Sequence, residues 1–243
     1  MIKIAVISDI HGNKLALDNV LEDINKFNPD KIFCLGDLIL AGYNPNYTVK
    51  KMIELKEQYK DNFEIIQGNT DKMVAYCTPG LIEKTKNAFP CMGYSLEEDV
   101  KITNREYIDF VKNLPEKKSV EINGLKLELV HGSPRNQSEN IFPDLEVEKV
   151  EEMVKSCNAD LILCGHTHIP CGYTLNSGKT VINAGSVGRS MTKDKMPVYL
   201  QLTVDNMGQF FSEHRIIKYD IEQVKRHILT RGFPCVEDLA NMF

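Results

Sequence analysis

From residue 1 to about 70, the chain alternates in the order strand, helix, strand, helix, strand. Residues 3–7, 31–35 and 63–66 have the length and composition of buried strands. Residues 13–27 place apolar side chains near the helical period, and the turn-forming residues 28–30 close that segment. Strands that alternate with helices over short loops are parallel, so this part of the chain predicts an α/β unit.

The pattern changes along the rest of the chain. Residues 71–114 are poor in strand signals and predict helices near 71–77 and 104–113. Asn123-Gly124 favours a type I′ hairpin between runs 120–122 and 125–130, because both residues tolerate positive φ angles. The remaining segments predict a helix at 147–156, a buried strand at 161–164, hairpins within 172–183 and 197–218, and an amphipathic helix at 220–231 that Gly232 ends.

These elements predict a four-layer α/β/β/α sandwich, in which two mixed sheets are flanked by helices and a small helical insertion lies at about 71–114. The sequence contains no internal repeat and no low-complexity linker. We therefore expect residues 1–243 to form a single domain.

Polar side chains follow five of the predicted strands. Four of the six histidines directly follow apolar runs, and acid or amide groups end two more runs. Because open α/β sheets bind ligands at the carboxyl ends of their strands, these groups are expected to meet at one edge. Imidazole, carboxylate and amide groups together suit divalent transition metals. The strand ends concerned carry Asp9, His11, Asp37, Asn69, Asp71, His131, His166 and His168.

Composition limits the class of partner. The formal net charge is -5 without a block of basic residues, which argues against a nucleic-acid footprint. Seven cysteines without a Cys-x-x-Cys pair favour reduced thiols. No signal-peptide pattern and no apolar stretch of about 20 residues occurs, so we expect a cytoplasmic protein without a membrane partner. The sequence does not predict an oligomeric state.

The ordered motifs Asp9-x-His11, Gly36-Asp37, Gly68-Asn69, His131 and Gly165-His166-Thr167-His168 resemble those of the calcineurin-like metallophosphoesterase superfamily. The segments 131–135, 183–188 and 232–234 are similar to its small prokaryotic branch, so the resemblance covers nearly the whole chain. It implies that Asp37 bridges two metal ions. The other ligands would be Asp9, His11 and His168 on one ion, and Asn69, His131 and His166 on the second.

This resemblance implies hydrolysis of a phosphate mono- or diester of a small molecule by attack of a metal-bridging hydroxide. No catalytic residue beyond the metal ligands is then expected. Manganese is the first expectation for both ions, and iron, zinc, nickel and cobalt are alternatives. One position departs from the family pattern: Thr70 stands where many members carry a histidine that would protonate the leaving group or hold the phosphoryl oxygen. Substrates with good leaving groups are therefore favoured.

Two residues are candidates for binding the substrate phosphate. Asn13 begins the first helix, where its amide and the helix N-terminus could contact phosphate, although a plain helix cap is the competing interpretation. Arg135, four residues beyond His131, could clamp phosphate oxygens or form a surface salt bridge. The glycine-rich segment 185–188 and the histidines His214 and His227 are interpreted as structural.

Other functions remain open from the sequence. Superfamily members also hydrolyse dinucleoside polyphosphates or dephosphorylate protein serine and threonine, and nothing in the helical insertion identifies a substrate. A non-catalytic, metal-dependent binding scaffold is the rival from another class, and the complete ligand set argues against it. Taken singly, Asp9, Asp37 and Asn69 could each be an ordinary cap or turn residue.

Overall fold

Two five-stranded mixed sheets form the centre of the computed structural model, which describes residues 1–243. The first sheet consists of β1 (Ile2–Ile7), β2 (Lys31–Cys34), β3 (Phe63–Ile65), β9 (Val198–Val204) and β10 (Phe210–Ile216). The second consists of β4 (Lys117–Ile122), β5 (Leu125–Val130), β6 (Leu161–Cys164), β7 (Cys171–Thr174) and β8 (Thr180–Asn183). The strand orders are β10-β9-β1-β2-β3 and β4-β5-β6-β8-β7.

Helices cover the outer faces of both sheets. They are α1 (Lys14–Phe27), α2 (Pro45–Tyr59), α3 (Asn69–Ala75), α4 (Pro79–Ala88), α5 (Pro90–Ile102), α6 (Arg105–Lys112), α7 (Val147–Val154), α8 (Ile221–Leu229) and α9 (Val236–Asn241), with a 3-10 turn at Lys60–Asn62. None of these helices is both long and apolar enough to span a bilayer. The predicted α/β sandwich of two mixed sheets flanked by helices is confirmed.

The cores follow the two-residue period of the strands. In β1, Ile4 and Val6 pack between the sheets, whereas Ala5 and Ile7 face the opposite way and join α1 and α2. The outer face of the second sheet packs against α7 through a separate cluster that includes Val150. A strand buried on both faces needs apolar residues at every position, which explains its continuous run in the sequence.

Parallel pairing brings the strand ends to one edge. β1 pairs with β2 and β2 with β3 in parallel, as β5 pairs with β6 and β6 with β8. The Asn123-Gly124 hairpin joins β4 to β5, with φ angles of 51° and 86° and with Ile122 opposite Leu125. Six of the seven candidate metal ligands lie in the loops after β1, β2, β5 and β6, and the seventh, Asn69, is the first residue of α3, which follows β3.

The helical content beyond the sheets exceeds the expectation. The segment expected to hold two helices contains α4 and α5 as well as α3 and α6, with Pro79 and Pro90 in the first turns of the added helices. A further short helix, α9, follows Gly232. The helices α8 and α9 pack on the insertion and on the loop after β2 through Ala41, Cys91, Phe233, Leu239 and Phe243.

Candidate metal centre

The turns that carry the ligands have an unusual backbone. Five of the seven candidate ligands have positive φ angles, between 49° and 68°. The left-handed region costs a non-glycine residue roughly 1–2 kcal/mol, and such strain clusters at functional sites because the surrounding structure imposes it. The five residues are Asp9, His11, Asp37, His166 and His168.

Two glycines in the motifs allow the turns to approach one another. A Cβ atom on Gly165 would fall on the Ser8 Oγ atom and clash with the Asp9 carboxylate. A Cβ atom on Gly68 would fall on the carboxylate of Asp37. These positions therefore require glycine because each backbone lies directly against a candidate ligand.

Backbone carbonyls orient three of the imidazoles. His11 Nδ1 lies 3.0 Å from the Leu40 carbonyl oxygen, and His131 Nδ1 lies 2.7 Å from that of Leu35. His168 Nδ1 lies 2.7 Å from the carbonyl oxygen of Arg189. An Nδ1–H donated to a carbonyl leaves Nε2 free as a metal ligand, and this arrangement is typical of metal-binding histidines.

One group of ligand atoms surrounds Asp9. Its Oδ1 atom lies 3.2 Å from His168 Nε2 and 3.8 Å from His11 Nε2, and those two nitrogens are 3.1 Å apart. With Asp37, these residues place one ligand atom each within 4.8 Å of all the others. Two ligand atoms about 2.0–2.2 Å from one ion lie at most about 4.4 Å apart, so the atoms of Asp9, His11 and His168 fit a shared ion.

A second group surrounds His131. Its Nε2 atom lies 3.0 Å from Asn69 Oδ1 and 3.2 Å from Asp37 Oδ2. The His166 ring lies edge-on to the His131 ring at 5.3 Å between centroids. The backbone N–H of His166 donates to Asp9 Oδ2 at 3.0 Å. Asp37 Oδ2 is also 3.6 Å from His11 Nε2, so this carboxylate lies between the two groups.

The electrostatics of the centre favour a cation. Burial alone raises the pKa of Asp9, but the imidazoles of His168 and His131 reverse that effect and hold it well below its ordinary range. The pKa of Asp37 falls to about 2, as His131 and His11 outweigh burial. Burial lowers the pKa of His131, but Asp37 and Asp9 together raise it to about 10. The two buried carboxylates therefore attract positive charge.

One buried atom lacks the partner that a metal ion would supply. Asp9 Oδ2 accepts hydrogen bonds from the Ser8 hydroxyl and from the backbone N–H of His166. The buried Asp9 Oδ1 atom, in contrast, has no hydrogen-bond partner. A carboxylate oxygen without a partner is costly in a protein interior. Because Oδ1 faces the Nε2 atoms of His11 and His168, coordination to a metal ion would satisfy it.

Asp71 and Thr70 support the Asp37 turn. The buried Asp71 carboxylate accepts N–H groups from Asp37 at 2.9 Å and from Gly68 at 3.0 Å. Burial and the charge of Asp37 raise the pKa of Asp71 to about 7. Thr70 donates its N–H to Asp37 Oδ1 and its hydroxyl to the Ile39 carbonyl oxygen. The Thr70 hydroxyl is thus already committed to the backbone.

Asn13 has the contacts of a helix cap. Its Oδ1 atom accepts the Ala16 N–H at 3.2 Å, and its Nδ2 atom donates to the Gly188 carbonyl oxygen at 2.8 Å. The residue is fully buried. These contacts correspond to the capping interpretation, and binding of phosphate by Asn13 stays a prediction.

Arg135 lies beside the centre rather than within it. Its guanidinium forms a two-pronged ion pair with Glu139, and 42% of its side chain is exposed. Together with Asn69 it lines a cavity of about 530 Å³. The other residues of this cavity are Lys72, Met73, Tyr76, Leu81, Glu116, Asn136, Gln137 and Ser138.

The glycine-rich segment after β8 is used by the protein itself. The N–H groups of Val187 and Gly188 donate to the carbonyl oxygens of Ser8 and Asp9, and the Ser186 hydroxyl also donates to Asp9. A Cβ atom on Gly188 would fall on the Ile10 carbonyl oxygen. This segment therefore holds the Asp9 turn, which agrees with its structural interpretation.

Comparisons with known proteins find relatives in sequence and in fold. An uncharacterized protein of Methanocaldococcus jannaschii is 31% identical over 95% of this chain and 93% of its own length. The structure of a hypothetical protein from Pyrococcus horikoshii superimposes with a TM-score of 0.87 at 20% identity, over 99% of this chain and 98% of that one. A metallophosphoesterase from Sphaerobacter thermophilus gives a TM-score of 0.76 at 22% identity over the same shares.

The two structural matches show a shared fold, and a match to a family model also identifies the family. Residues 2–207 match the family model of the calcineurin-like phosphoesterase superfamily domain. This match includes all seven candidate ligands. The chain belongs to the calcineurin-like phosphoesterase superfamily.

Proposed function

We propose that this protein hydrolyses a phosphate ester of a small molecule with two divalent transition-metal ions. The position of Asp37 carries the proposal, since its Oδ2 atom lies 3.6 Å from His11 Nε2 and 3.2 Å from His131 Nε2. A carboxylate between two sets of nitrogen and oxygen ligands suits a bridge between two ions. Asp9, His11 and His168 would hold one ion, and Asn69, His131 and His166 the other.

The chain prepares the ligands before any substrate arrives. Backbone carbonyls fix the rings of His11, His131 and His168, and the Asp71 carboxylate fixes the Asp37 turn. Bound divalent ions lower the pKa of water and stabilise the oxygens of a phosphoryl group. Groups held in place by a buried scaffold need little rearrangement during reaction, and this lowers the barrier. Manganese remains our first expectation, with iron, zinc, nickel and cobalt as alternatives.

The surroundings of Asn69 suggest the class of leaving group. Thr70 donates its hydroxyl to the backbone and supplies no acid for an alkoxide. General-acid assistance is worth roughly 10²- to 10⁴-fold, so its absence favours esters whose leaving group is a weak base. The adjoining cavity contains Tyr76, Met73 and Leu81, which suit an aryl or other apolar group.

Charge pairing in the same cavity helps to choose between a small phosphate ester and a dinucleoside polyphosphate as the substrate. Lys72 pairs with Glu116, and Arg135 pairs with Glu139. The cavity therefore offers little net positive charge for a polyphosphate chain. This balance favours a small ester over a dinucleoside polyphosphate as the substrate.

The test combines metal analysis with two chromogenic substrates. We expect purified protein to contain Mn, Fe, Zn, Ni or Co and to hydrolyse p-nitrophenyl phosphate or bis-p-nitrophenyl phosphate. A chelator should abolish turnover, and added Mn²⁺ should restore it. Metal-loaded protein that is inert toward these compounds, nucleotides and phosphopeptides would contradict the proposal and support a binding scaffold.

A further inference from the structure

Arg189 follows the glycine-rich segment, and the centre fixes its backbone on both sides. Its N–H donates to Ser186 Oγ at 2.9 Å, and its carbonyl oxygen holds His168 Nδ1. The preceding N–H, that of Gly188, donates to the Asp9 carbonyl oxygen at 2.8 Å. The side chain therefore starts from a backbone that is tied to two candidate metal ligands.

The guanidinium of Arg189 differs from the other arginines in its partners. The other five each form an ion pair with a carboxylate, namely Arg105, Arg135, Arg215, Arg226 and Arg231. Arg189 has no carboxylate partner. Its Nη2 atom lies 3.1 Å from the Met242 sulfur, which is only a weak acceptor, and its buried Nε atom has no hydrogen-bond partner.

A largely buried guanidinium without an anionic partner is unfavourable unless a ligand supplies the anion. Burial lowers the pKa of Arg189, and the nearby charges of Asp37 and Asp9 oppose that decrease. Its charge is therefore within the field of the ligand carboxylates. The residue retains partial exposure to solvent.

We propose that Arg189 binds a non-bridging oxygen of the substrate phosphate, with the C-terminal helix α9 seating its guanidinium through Met242. The inference rests on the proposed phosphoesterase function and specifies its substrate class. A guanidinium donates several N–H groups to phosphate oxygens, and it gains most from the terminal dianionic group of a phosphomonoester. Arg135, which is neutralised by Glu139, is less suited to this role.

The test measures binding of orthophosphate to metal-loaded protein by calorimetry, and its inhibition of ester hydrolysis. The variants are Arg189→Gln, Arg189→Lys and the matched control Arg105→Gln, whose residue is exposed and far along the insertion. We expect Arg189→Gln to weaken orthophosphate binding by about 10- to 100-fold, the size expected for a lost charged hydrogen bond. Arg189→Lys should weaken it less, and Arg105→Gln should leave it unchanged.

Two further readouts separate binding from a structural role. Metal content should stay the same in Arg189→Gln, because the backbone carbonyl of residue 189, and not its side chain, holds His168. The Michaelis constant should rise more for p-nitrophenyl phosphate than for the singly charged diester. Loss of metal, or equal increases for both esters, would overturn the proposal.

The outcomes also distinguish this inference from the proposed function. Orthophosphate binding that depends on Arg189, in a protein without turnover, would support the inference and contradict the proposed phosphoesterase activity. Turnover together with unchanged orthophosphate binding in Arg189→Gln would support the proposed phosphoesterase activity and overturn the inference. Should Arg189→Gln fail to fold, unchanged orthophosphate binding in Arg189→Lys would overturn the proposed contact between Arg189 and phosphate.

Discussion

The ligand turns and the cavity wall are built in different ways. The ligand turns (residues 8–12, 36–38, 68–70, 131 and 165–168) are mostly buried, and backbone hydrogen bonds hold them. The cavity wall (residues 72–81 and 135–138) consists of helix faces and a loop with exposed charged and aromatic side chains. From this contrast we propose that the turns set the chemistry, whereas the wall selects the molecule attached to the phosphate.

The contrast predicts that substitutions in the two regions affect different quantities. A change in a ligand turn should impair every substrate, because it alters metal binding and the reacting phosphate. A change in the wall should alter the Michaelis constant for particular leaving groups and leave metal content unchanged.

The largest effect is expected for Asp37→Asn in the ligand turns. Loss of the shared carboxylate removes a negative charge from between the two metal positions, and several kcal/mol of transition-state stabilisation corresponds to roughly 10³-fold in turnover. Elemental analysis and steady-state assays with both nitrophenyl esters would measure it. The exposed Asp61→Asn should retain metal and activity, and an Asp37→Asn protein with full metal and turnover would contradict the bridging role.

A large effect on stability, rather than chemistry, is expected for Arg231→Met. The Arg231 guanidinium donates to Asp99 at 2.7 Å and to the Gly42 carbonyl oxygen at 2.6 Å, and the ion pair is nearly inaccessible to solvent. Leaving Asp99 buried and unpaired costs about 3–5 kcal/mol. Thermal unfolding should show a midpoint lowered by about 10 °C for a chain of this size.

Arg226, which lies on α8 shortly before Arg231, provides the control for that change. Arg226 pairs with Asp220 at the surface, so Arg226→Met should unfold near the wild-type temperature. If the ligand turns are held mainly by their own hydrogen bonds, Arg231→Met should retain metal at 25 °C. Loss of metal before unfolding would show that α8 and α9 help to hold the loop after Asp37.

The ligand turns and the contacts that hold the surrounding helices differ in how far the sequence could predict them. The ligands were predictable because each follows a local apolar run, and parallel pairing brings those strand ends together. The Arg231–Asp99 pair joins positions 132 residues apart, and no local pattern signals it. Helices α4 and α5 were missed because their segments are weakly amphipathic and contain proline and glycine. The sequence around Arg189 does not indicate that its guanidinium has no carboxylate as an ion-pair partner.

A moderate effect is expected for Tyr76→Ala in the cavity wall. Tyr76 is 52% exposed and lines the cavity beside Asn69, where an aryl leaving group could pack on its ring. Aromatic pairs contribute about 0.5–1.5 kcal/mol, which corresponds to roughly a 2- to 10-fold rise in the Michaelis constant for p-nitrophenyl phosphate. Turnover at saturation and hydrolysis of methyl phosphate should change little.

The control for Tyr76→Ala is Phe211→Ala, which removes an exposed ring from strand β10. It should leave both kinetic constants unchanged. An equal loss of turnover for aryl and methyl esters in Tyr76→Ala would show that Tyr76 affects every substrate, as the ligand turns are expected to do. It would contradict the separate role of the cavity wall.

The smallest effect is expected for His214→Gln, which tests the support behind a ligand turn. His214 Nε2 donates to the Asn183 carbonyl oxygen at 2.7 Å, and the Asn183 amide donates to the Gly165 carbonyl oxygen at 2.6 Å. Burial lowers the pKa of His214 below its ordinary value of 6.5. The unfolded chain therefore binds a proton more readily than the folded protein as the pH falls below about 6.5.

The sign of the pH effect follows from that difference. The contribution of His214 to the free energy of unfolding is fully present above pH 6.5 and is lost as the pH falls toward the lower folded pKa. Between these two values the wild type should lose stability with falling pH faster than His214→Gln does, as measured by denaturant unfolding at a series of pH values. Parallel pH profiles for the two proteins would show that His214 titrates alike in both states, and that its burial contributes nothing to the stability of the Gly165 turn.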